Sequence, residues 1–288
     1  MPADPTPLSA TRLESAAVAK TFAQQLSESA SKKHSWVCLG LDVELDRLPA
    51  DLPRTVAGAE RFLYNVVDAC AAQVVAFKPN LAFYGALGPE GMALLQRLVA
   101  YINGRALVIA DGKVGDVENT SRMYAVMLFD VFGFDCITAN AYGGMQSLEP
   151  IINRFDRGTL IWTRSSNSGA DELQARTSDD GDSIYLYLAR RVVAANTRGN
   201  LGLVAGATRP VDIGILRSTA PELPILVPGV GAQRGELEAC VRAGHRPPLG
   251  GLLMNAGRSA LWATDGTDFA DASARVISEM SRGIESAS

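Results

Sequence analysis

The stretch Val108-Ile109-Ala110-Asp111-Gly112-Lys113-Val114-Gly115-Asp116 is an apolar run that ends in three charges. Asp111 and Lys113 are two residues apart, so in an extended strand their side chains leave the same face, and Asp116 follows just past the predicted strand end. The sequence therefore predicts that three charges converge where a core strand reaches the surface. A plain strand-end ion pair is the alternative, because structural ion-pair networks gather the same residue types.

Apolar strands that end in polar or charged side chains recur along the chain, and each is followed by apolar residues at helical spacing. About eight such units predict a (β/α)8 TIM barrel, with an open, doubly wound sheet as the alternative, because alternation does not prove closure. An extra N-terminal helix is predicted over residues 8–30. Residues 1–288 are expected to form one barrel domain, with residues 1–8 flexible. The predicted strands are 36–43, 74–80, 106–113, 134–141, 159–165, 201–208, 224–229 and 251–255.

Composition limits the function classes. The chain has 288 residues, 47% of them hydrophobic and 20% charged, which is enough apolar material for a large core. A net charge of -4 without a long basic run argues against nucleic acid or an anionic membrane as partner. Four widely spaced cysteines without a Cys-x-x-Cys pair indicate buried thiols in a reducing compartment. We find no signal peptide or membrane-spanning run, so we expect a cytoplasmic protein.

The loops after the last two predicted strands carry groups that suit an anion. Gly229 and Gly231 allow backbone amides to face a phosphate, and the planar guanidinium of Arg258 can bind two phosphate oxygens. Phosphate binds beyond the seventh and eighth strands in many barrels, so the sequence predicts a phosphate site there. Two glycine turns and a surface arginine are the structural alternative. The glycine spacing is not that of a dinucleotide site, so NAD is a weak alternative.

The two histidines lie away from the predicted catalytic rim. His34 precedes the first predicted strand, and His245 lies in a loop before the eighth, where it is interpreted as a helix C-cap partner. A Ser-His-Asp mechanism or a histidine-rich zinc site is therefore disfavoured. Acid and base chemistry falls to lysine and aspartate.

An ordered set of motifs in this chain resembles the orotidine 5'-phosphate decarboxylase family, in particular its longer bacterial branch. Residues 111–116, with Asn119 and Thr120 after them, resemble the family signature Asp-x-Lys-x-x-Asp. That signature alone is shared with other barrel decarboxylases and epimerases, whereas the ordered set is more specific. The other matching motifs are Leu39-Gly40-Leu41-Asp42, Phe77-Lys78-Pro79-Asn80, Val204-Ala205-Gly206-Ala207-Thr208, Pro228-Gly229-Val230-Gly231-Ala232-Gln233 and Gly257-Arg258-Ser259.

The resemblance implies cofactor-free, metal-free loss of carbon dioxide from orotidine 5'-phosphate to give UMP in pyrimidine biosynthesis. It makes Lys113 the acid that protonates the pyrimidine carbon and places Asp111 beside the substrate carboxylate. It also implies a homodimer, in which Asp116 and Thr120 reach into the site of the neighbouring subunit.

The remaining roles that the resemblance implies concern substrate binding. Lys78 and Asp42 are expected to bind ribose hydroxyls and to order the charge network, and Ser166 to contact the base. The phosphate is assigned to Gln233, Gly257 and Arg258. Val114 and Ser168 depart from the family pattern, and the second departure leaves the choice between Ser165 and Ser166 open.

Other functions use the same residues. In one, Asp111 with Glu44 or Asp116 holds Mg²⁺ and stabilises an enediolate from a sugar-phosphate keto acid. In another, Lys113 is the Schiff-base nucleophile of an aldolase. A barrel that only senses or stores a phosphorylated ligand is the non-enzymatic alternative. The polar stretch 166–182 is a candidate lid over the base, or a passive insertion.

Overall fold

Eight parallel strands pair in chain order, and the eighth pairs with the first, so the sheet closes into a barrel. This computed structural model describes residues 20–177, 179, 181–230 and 234–288, with only the backbone of residues 234 and 235. Closure confirms the predicted (β/α)8 architecture over the open sheet. The strands are β1 Val37–Gly40, β2 Ala76–Lys78, β3 Leu107–Val114, β4 Cys136–Ala139, β5 Gly158–Arg164, β6 Leu201–Ala205, β7 Ile225–Val230 and β8 Leu252–Ala256.

Helices alternate with these strands. They are α1 Phe22–Lys33, α2 Val56–Cys70, α3 Leu81–Gly85, α4 Gly88–Ile102, α5 Glu118–Ala125, α6 Glu149–Ile152, α7 Ile184–Ala195, α8 Pro210–Thr219, α9 Arg234–Gly244, α10 Arg258–Leu261 and α11 Phe269–Ala287. In the part of the chain that the structure describes, no helix is long and apolar enough to cross a membrane.

Two helical segments have local features of their own. Helix α5 is followed directly by a π-helix, Val126–Val131. The short helix α3, between β2 and α4, was not predicted. It begins after Asn80, whose side-chain oxygen accepts the Ala82 N–H at 3.0 Å and so caps the first turn.

Helix α1 covers the N-terminal end of the barrel. Phe22 packs so closely on Gly158, the first residue of β5, that a Cβ on that glycine would lie 2.5 Å from the phenyl ring. At the other end of α1, Lys33 Nζ donates to three backbone carbonyls, those of Ala71, Val74 and Arg105, at 2.7 to 2.8 Å. These carbonyls precede β2 and β3, so the helix is fixed across the lower rim.

The extra N-terminal helix was predicted over residues 8–30, and residues 8–19 lie outside the described residues. In the described part, α1 begins at Phe22 because Thr21 forms a capping box with Gln24. It continues to Lys33, three residues beyond the predicted end. Phe22, Leu26 and Ala30 pack with the inward residues of the strands in one buried cluster, separate from the core between strands and helices.

The histidines have structural positions. His34 ends α1 in the left-handed conformation, with φ of 48°. His245 follows α9, as predicted for a cap, but its imidazole acts elsewhere. Its Nδ1 accepts the backbone N–H of Leu252 at 3.0 Å, so the buried ring joins the end of α9 to the start of β8.

Candidate active site

The inner face of the barrel changes from apolar to polar toward the carboxyl ends of the strands. Ala76 on β2 and Ile109 on β3 belong to the apolar cluster above α1. Strand side chains alternate, so the residues two positions further along, Lys78 and Asp111, face the same interior one step higher. The same step on β4, β5 and β8 reaches side chains that carry polar atoms, namely Thr138, Trp162 and Asn255.

Lys78, Asp111 and Lys113 form one chain of charges. Lys78 Nζ lies 2.5 Å from Asp111 Oδ2, and Lys113 Nζ lies 2.7 Å from Asp111 Oδ1. Lys78 is 3% exposed and Asp111 is 7% exposed. Burial acts to raise the pKa of Asp111, but the two ammonium groups outweigh it and hold this pKa well below its usual range. The carboxylate therefore stays ionised between two cations.

The same arrangement shifts the pKa of Lys78 upward, the opposite direction from that of Asp111. Burial acts to lower its pKa, but the carboxylates of Asp111 and Asp42 outweigh this effect, and the pKa of Lys78 is raised. The buried amine is therefore a fixed cation at neutral pH. A cation held in this way needs little rearrangement to stabilise negative charge that develops beside it.

The route by which Lys113 reaches Asp111 differs from simple strand alternation. The pairing of β3 with β4 is irregular between Ala110 and Val114, and Lys113 has a left-handed backbone with φ of 46°. Such a conformation costs a non-glycine residue about 1–3 kcal/mol. The predicted meeting of the two side chains is therefore confirmed, but a bulge produces it, and the lysine is not simply the next residue on the same strand face.

Thr138 on β4 holds this bulge, and the sequence reasoning missed it. Its hydroxyl accepts the backbone N–H groups of Gly112 and Lys113, at 3.1 and 3.0 Å. The same oxygen lies 3.0 Å from Asp111 Oδ1, to which it donates. One side chain therefore fixes the backbone of the lysine and the carboxylate that pairs with it. The available signal was a threonine inside an otherwise apolar strand.

Asp42, near Lys78 and Asp111, has one carboxylate oxygen that accepts no hydrogen bond from the described residues. It lies two residues past the end of β1, beyond Leu41, whose carbonyl accepts the buried Tyr84 hydroxyl at 2.7 Å. Asp42 Oδ1 is buried and has no hydrogen-bond partner among the described residues. Burial raises the pKa of Asp42, and the Lys78 ammonium offsets part of the shift. A ligand hydroxyl is the kind of donor that such an oxygen lacks.

Asp116 does not join the other two charges within the chain. It is exposed and forms no ion pair with any described residue, so the predicted convergence of three charges is wrong for a single chain. Its position is nevertheless fixed, because Ser121 Oγ accepts from its N–H at 3.3 Å and donates to its carbonyl at 2.9 Å. Thr120, next to Ser121 and only partly buried, lies near the start of α5, four residues after Asp116.

Ser165 and Ser166, which follow β5, have different surroundings. Ser165 is buried, and its hydroxyl accepts the N–H of Asn167 at 3.1 Å. Ser166 is exposed and packs on Gly206, where an added Cβ would lie 2.6 Å from the Ser166 Cβ. Its hydroxyl also lies 4.0 Å from the Cβ position of Gly229. Ser166 is therefore the serine that faces the end of β7.

The predicted phosphate residues lie at the ends of β7 and β8. Gly229 has φ of +85°, a conformation that favours glycine. Gly257 precedes α10, and Arg258 opens this short helix with an exposed side chain that pairs with no described carboxylate. Gln233 and Gly231 lie outside the described residues. The described part of the predicted phosphate site therefore offers a guanidinium that pairs with no described carboxylate and a glycine turn.

Asn255, one strand position before this loop, was not predicted as a site residue. It is buried on the inner face of β8, and its Oδ1 has no partner among the described residues. Its amide nitrogen lies 3.8 Å from the Cβ position of Gly40, so the missing side chain on β1 leaves room beside it. The alternation on β8, with inward Leu253 two residues earlier, was a usable signal.

Comparison with known proteins fits this geometry. The model of the orotidine 5'-phosphate decarboxylase / HUMPS family matches residues 35–265. The chain belongs to this family. A curated orotidine 5'-phosphate decarboxylase of Thermomicrobium roseum is 42% identical over 253 residues, which cover 87% of this chain and 90% of that protein. One of Herpetosiphon aurantiacus is 40% identical over 256 residues, covering 88% and 94%.

Solved structures of the family have the same fold. The structure of Leishmania donovani OMP decarboxylase has a TM-score of 0.77 and 31% identity, and the match covers 91% of this chain and 99% of that one. A crystal structure of a putative orotidine 5'-phosphate decarboxylase from Streptomyces avermitilis has a TM-score of 0.80 and 28% identity, with 93% and 96% covered. The resemblance that the motifs indicated is thus confirmed over most of the chain.

Proposed function

We propose that this protein converts orotidine 5'-phosphate to UMP and carbon dioxide, with Lys113 as the proton donor, in de novo pyrimidine biosynthesis. Its family and its curated relatives make it a carboxy-lyase. The observation that carries the finer proposal is the Lys78-Asp111-Lys113 chain of charges at the carboxyl ends of β2 and β3. Active sites of (β/α)8 barrels lie at this end.

The proposed step needs a cation at the reacting carbon. The bond between the pyrimidine ring and its carboxylate breaks, carbon dioxide leaves, and the electron pair stays on the ring carbon. Lys113 stabilises this charge and then gives the carbon a proton. Asp111 keeps the ammonium in place, 2.7 Å away. In this proposal the step uses no cofactor, because the lysine side chain both meets the charge and supplies the proton.

The magnesium alternative uses Asp111 differently. A metal ion would have to share the carboxylate oxygens of Asp111 with two ammonium groups, because each oxygen already accepts from one of them. A bound divalent cation would also lie beside two positive charges, which is unfavourable. The arrangement therefore supports the decarboxylase over the enediolate enzyme.

Substrate binding is assigned to groups around the charged chain. In this proposal Asp42 accepts from a ribose hydroxyl, since its free oxygen lacks a donor, and Lys78 donates to the ribose. Ser166 contacts the base. The phosphate binds Gln233, the backbone at Gly257 and the guanidinium of Arg258. Charged hydrogen bonds to phosphate contribute about 1.5–3 kcal/mol each, which helps to offset the desolvation of the base.

A homodimer completes the proposed site. Asp116 and Thr120 lie on an exposed turn, and two large side chains flank it: Val117 is 66% exposed and Tyr142 is 82% exposed. The two loops touch, because a Cβ on Gly115 would lie 2.1 Å from the Asn140 carbonyl. Exposed apolar groups beside an unpaired acid suit a subunit interface that delivers Asp116 to the neighbouring site.

The proposal extends to the whole chain as one barrel domain in the cytoplasm. The main buried core contains residues from α2 to α11 without a break. All four cysteines are buried and unpaired, which suits a reducing compartment.

The direct test is turnover of orotidine 5'-phosphate by purified protein in the presence of a chelator, followed by the loss of the substrate's ultraviolet absorbance. Lys113→Ala should abolish turnover and still bind UMP, because the proton donor is lost while the phosphate and ribose contacts remain. Lys32→Ala, at an exposed lysine of α1, is the matched control and should keep full activity. Full activity of Lys113→Ala would refute its role as the acid.

A further inference from the structure

A buried arginine joins three parts of the polypeptide that lie outside the Lys78-Asp111-Lys113 group of charges. Arg164, the last residue of β5, is 3% exposed. Its Nε lies 2.7 Å from Asp212 Oδ2, and its Nη2 lies 2.6 Å from Asp171 Oδ1. Its guanidinium carbon stacks 5.0 Å from the centre of the Tyr185 ring. Arg209 adds a second cation, with Nη2 3.1 Å from Asp171 Oδ2.

These contacts connect the segment after β5 to α8. Asp212 lies in the first turn of α8, whereas Asp171 lies in the 3-10 helix Ser168–Glu172. That helix belongs to residues 166–177, the described start of the candidate lid. Gln174 reinforces the attachment, because its side-chain oxygen accepts the Ser165 N–H at 2.8 Å.

The two carboxylates differ in exposure. The Asp212 side chain is 19% exposed, and the Asp171 side chain is 52% exposed. Water can therefore compete for Asp171, and this contact breaks more readily than the one inside. Breaking the contact between Arg164 and Asp171 costs free energy, however. Arg164 Nη1 is already buried without a partner among the described residues, and undocking would leave Nη2 without its carboxylate as well.

We propose that Arg164 is a positioning residue that, through Asp171, holds residues 166–177 docked at the barrel mouth before substrate arrives. The inference rests on the proposed function, since Ser166, the expected base contact, lies two residues beyond Arg164 on the same segment. A docked segment loses less conformational freedom when the substrate binds, so affinity rises without a new contact to the ligand.

Asp171→Asn tests this with a matched control. Glu172→Gln removes the same charge from the next residue of the same 3-10 helix, and the Glu172 carboxylate has no ion-pair partner in the described ranges. We expect Asp171→Asn to lower kcat/KM for orotidine 5'-phosphate about tenfold, mostly through KM, and to weaken UMP binding by a similar factor. Glu172→Gln should stay within about twofold of wild type. The kcat of both variants should change little, because Lys113 and Asp111 are untouched.

A second readout follows the segment itself. Trypsin cuts after Arg176, which is exposed in this segment, and the fragment masses identify that cut. Asp171→Asn should be cut faster at Arg176 than Glu172→Gln, and UMP should slow the cut in both variants. Thermal midpoints should agree to about 2 °C, which separates local undocking from general loss of stability.

The outcomes separate the two proposals. Equal KM, equal UMP affinity and equal cleavage in the two variants, with an active wild type, would overturn the positioning role. An inactive wild type would refute the proposed function instead. Cleavage without ligand would then still report on docking, and faster cutting of Asp171→Asn would support it.

Discussion

Replacing Thr138 by valine removes one hydroxyl and keeps the shape of the side chain. The hydroxyl accepts from the backbone N–H groups of Gly112 and Lys113 and donates to Asp111. Two amides lose their acceptor, at about 1–1.5 kcal/mol each, so the loss is roughly 2–3 kcal/mol. If this whole loss of free energy goes into misplacing the Lys113 amine, kcat falls about 30- to 160-fold, since each 1.36 kcal/mol is a factor of ten.

The assay is steady-state decarboxylation of orotidine 5'-phosphate, with the free energy of unfolding measured in parallel. Thr159→Val is the control, because Thr159 is a fully buried threonine on the neighbouring strand β5 whose hydroxyl has no partner among the described residues. It should keep wild-type activity and unfold no more easily. A Thr138→Val enzyme with kcat within about threefold of wild type, or an equal loss in Thr159→Val, would show that the bulge does not depend on this hydroxyl.

Three further predictions concern the interface, pH and phosphate. The variants Lys113→Ala and Asp116→Asn should each be inactive alone. When they are mixed and exchange subunits, about a quarter of wild-type activity should return, because half of the dimers then hold one intact site. No recovery would mean that Asp116 acts in the site of its own chain. Burial lowers the pKa of His245 to about 4, so the folded state keeps it neutral. The stabilising contribution of the neutral ring, at most about 3 kcal/mol, is complete above pH 6.5 and is lost as the pH falls through 4. Urea titrations should show this pH dependence of the free energy of unfolding in wild type and a weaker one in His245→Gln. Arg258→Ala should lower kcat/KM about 10²-fold, and added guanidinium should restore part of the activity. If the variant shows no loss and no recovery, the phosphate binds elsewhere.

The sequence was sufficient for the architecture and for the residues that end its strands. Apolar runs separated by helical spacing predicted the barrel, and Lys78, Asp111 and Lys113 were all singled out because each lies at or near a strand end. Alternation with a period of two residues is a local property, so it can be read without knowing which strands are neighbours.

Features that depend on strand register escaped prediction. Thr138 acts on the backbone of the adjacent strand, and no local pattern tells which amides its hydroxyl will meet. The left-handed backbone of Lys113 follows from that contact, since a lysine has no preference for positive φ. The spacing in sequence placed Asp116 beside the other charges, but it does not show the path of the chain after the strand, where Asp116 is exposed and pairs with no described cation.

Helix α1 packs across the lower end of the barrel. Phe22, Leu26 and Ala30 fill the lower end, and the layer of described residues beneath the ionised groups consists of apolar side chains and the thiols of Cys38 and Cys136. Removing this helix would let water rise to the underside of Asp111 and screen the attraction between its carboxylate and the two amines. A truncation far from any substrate atom would thereby weaken the catalytic field.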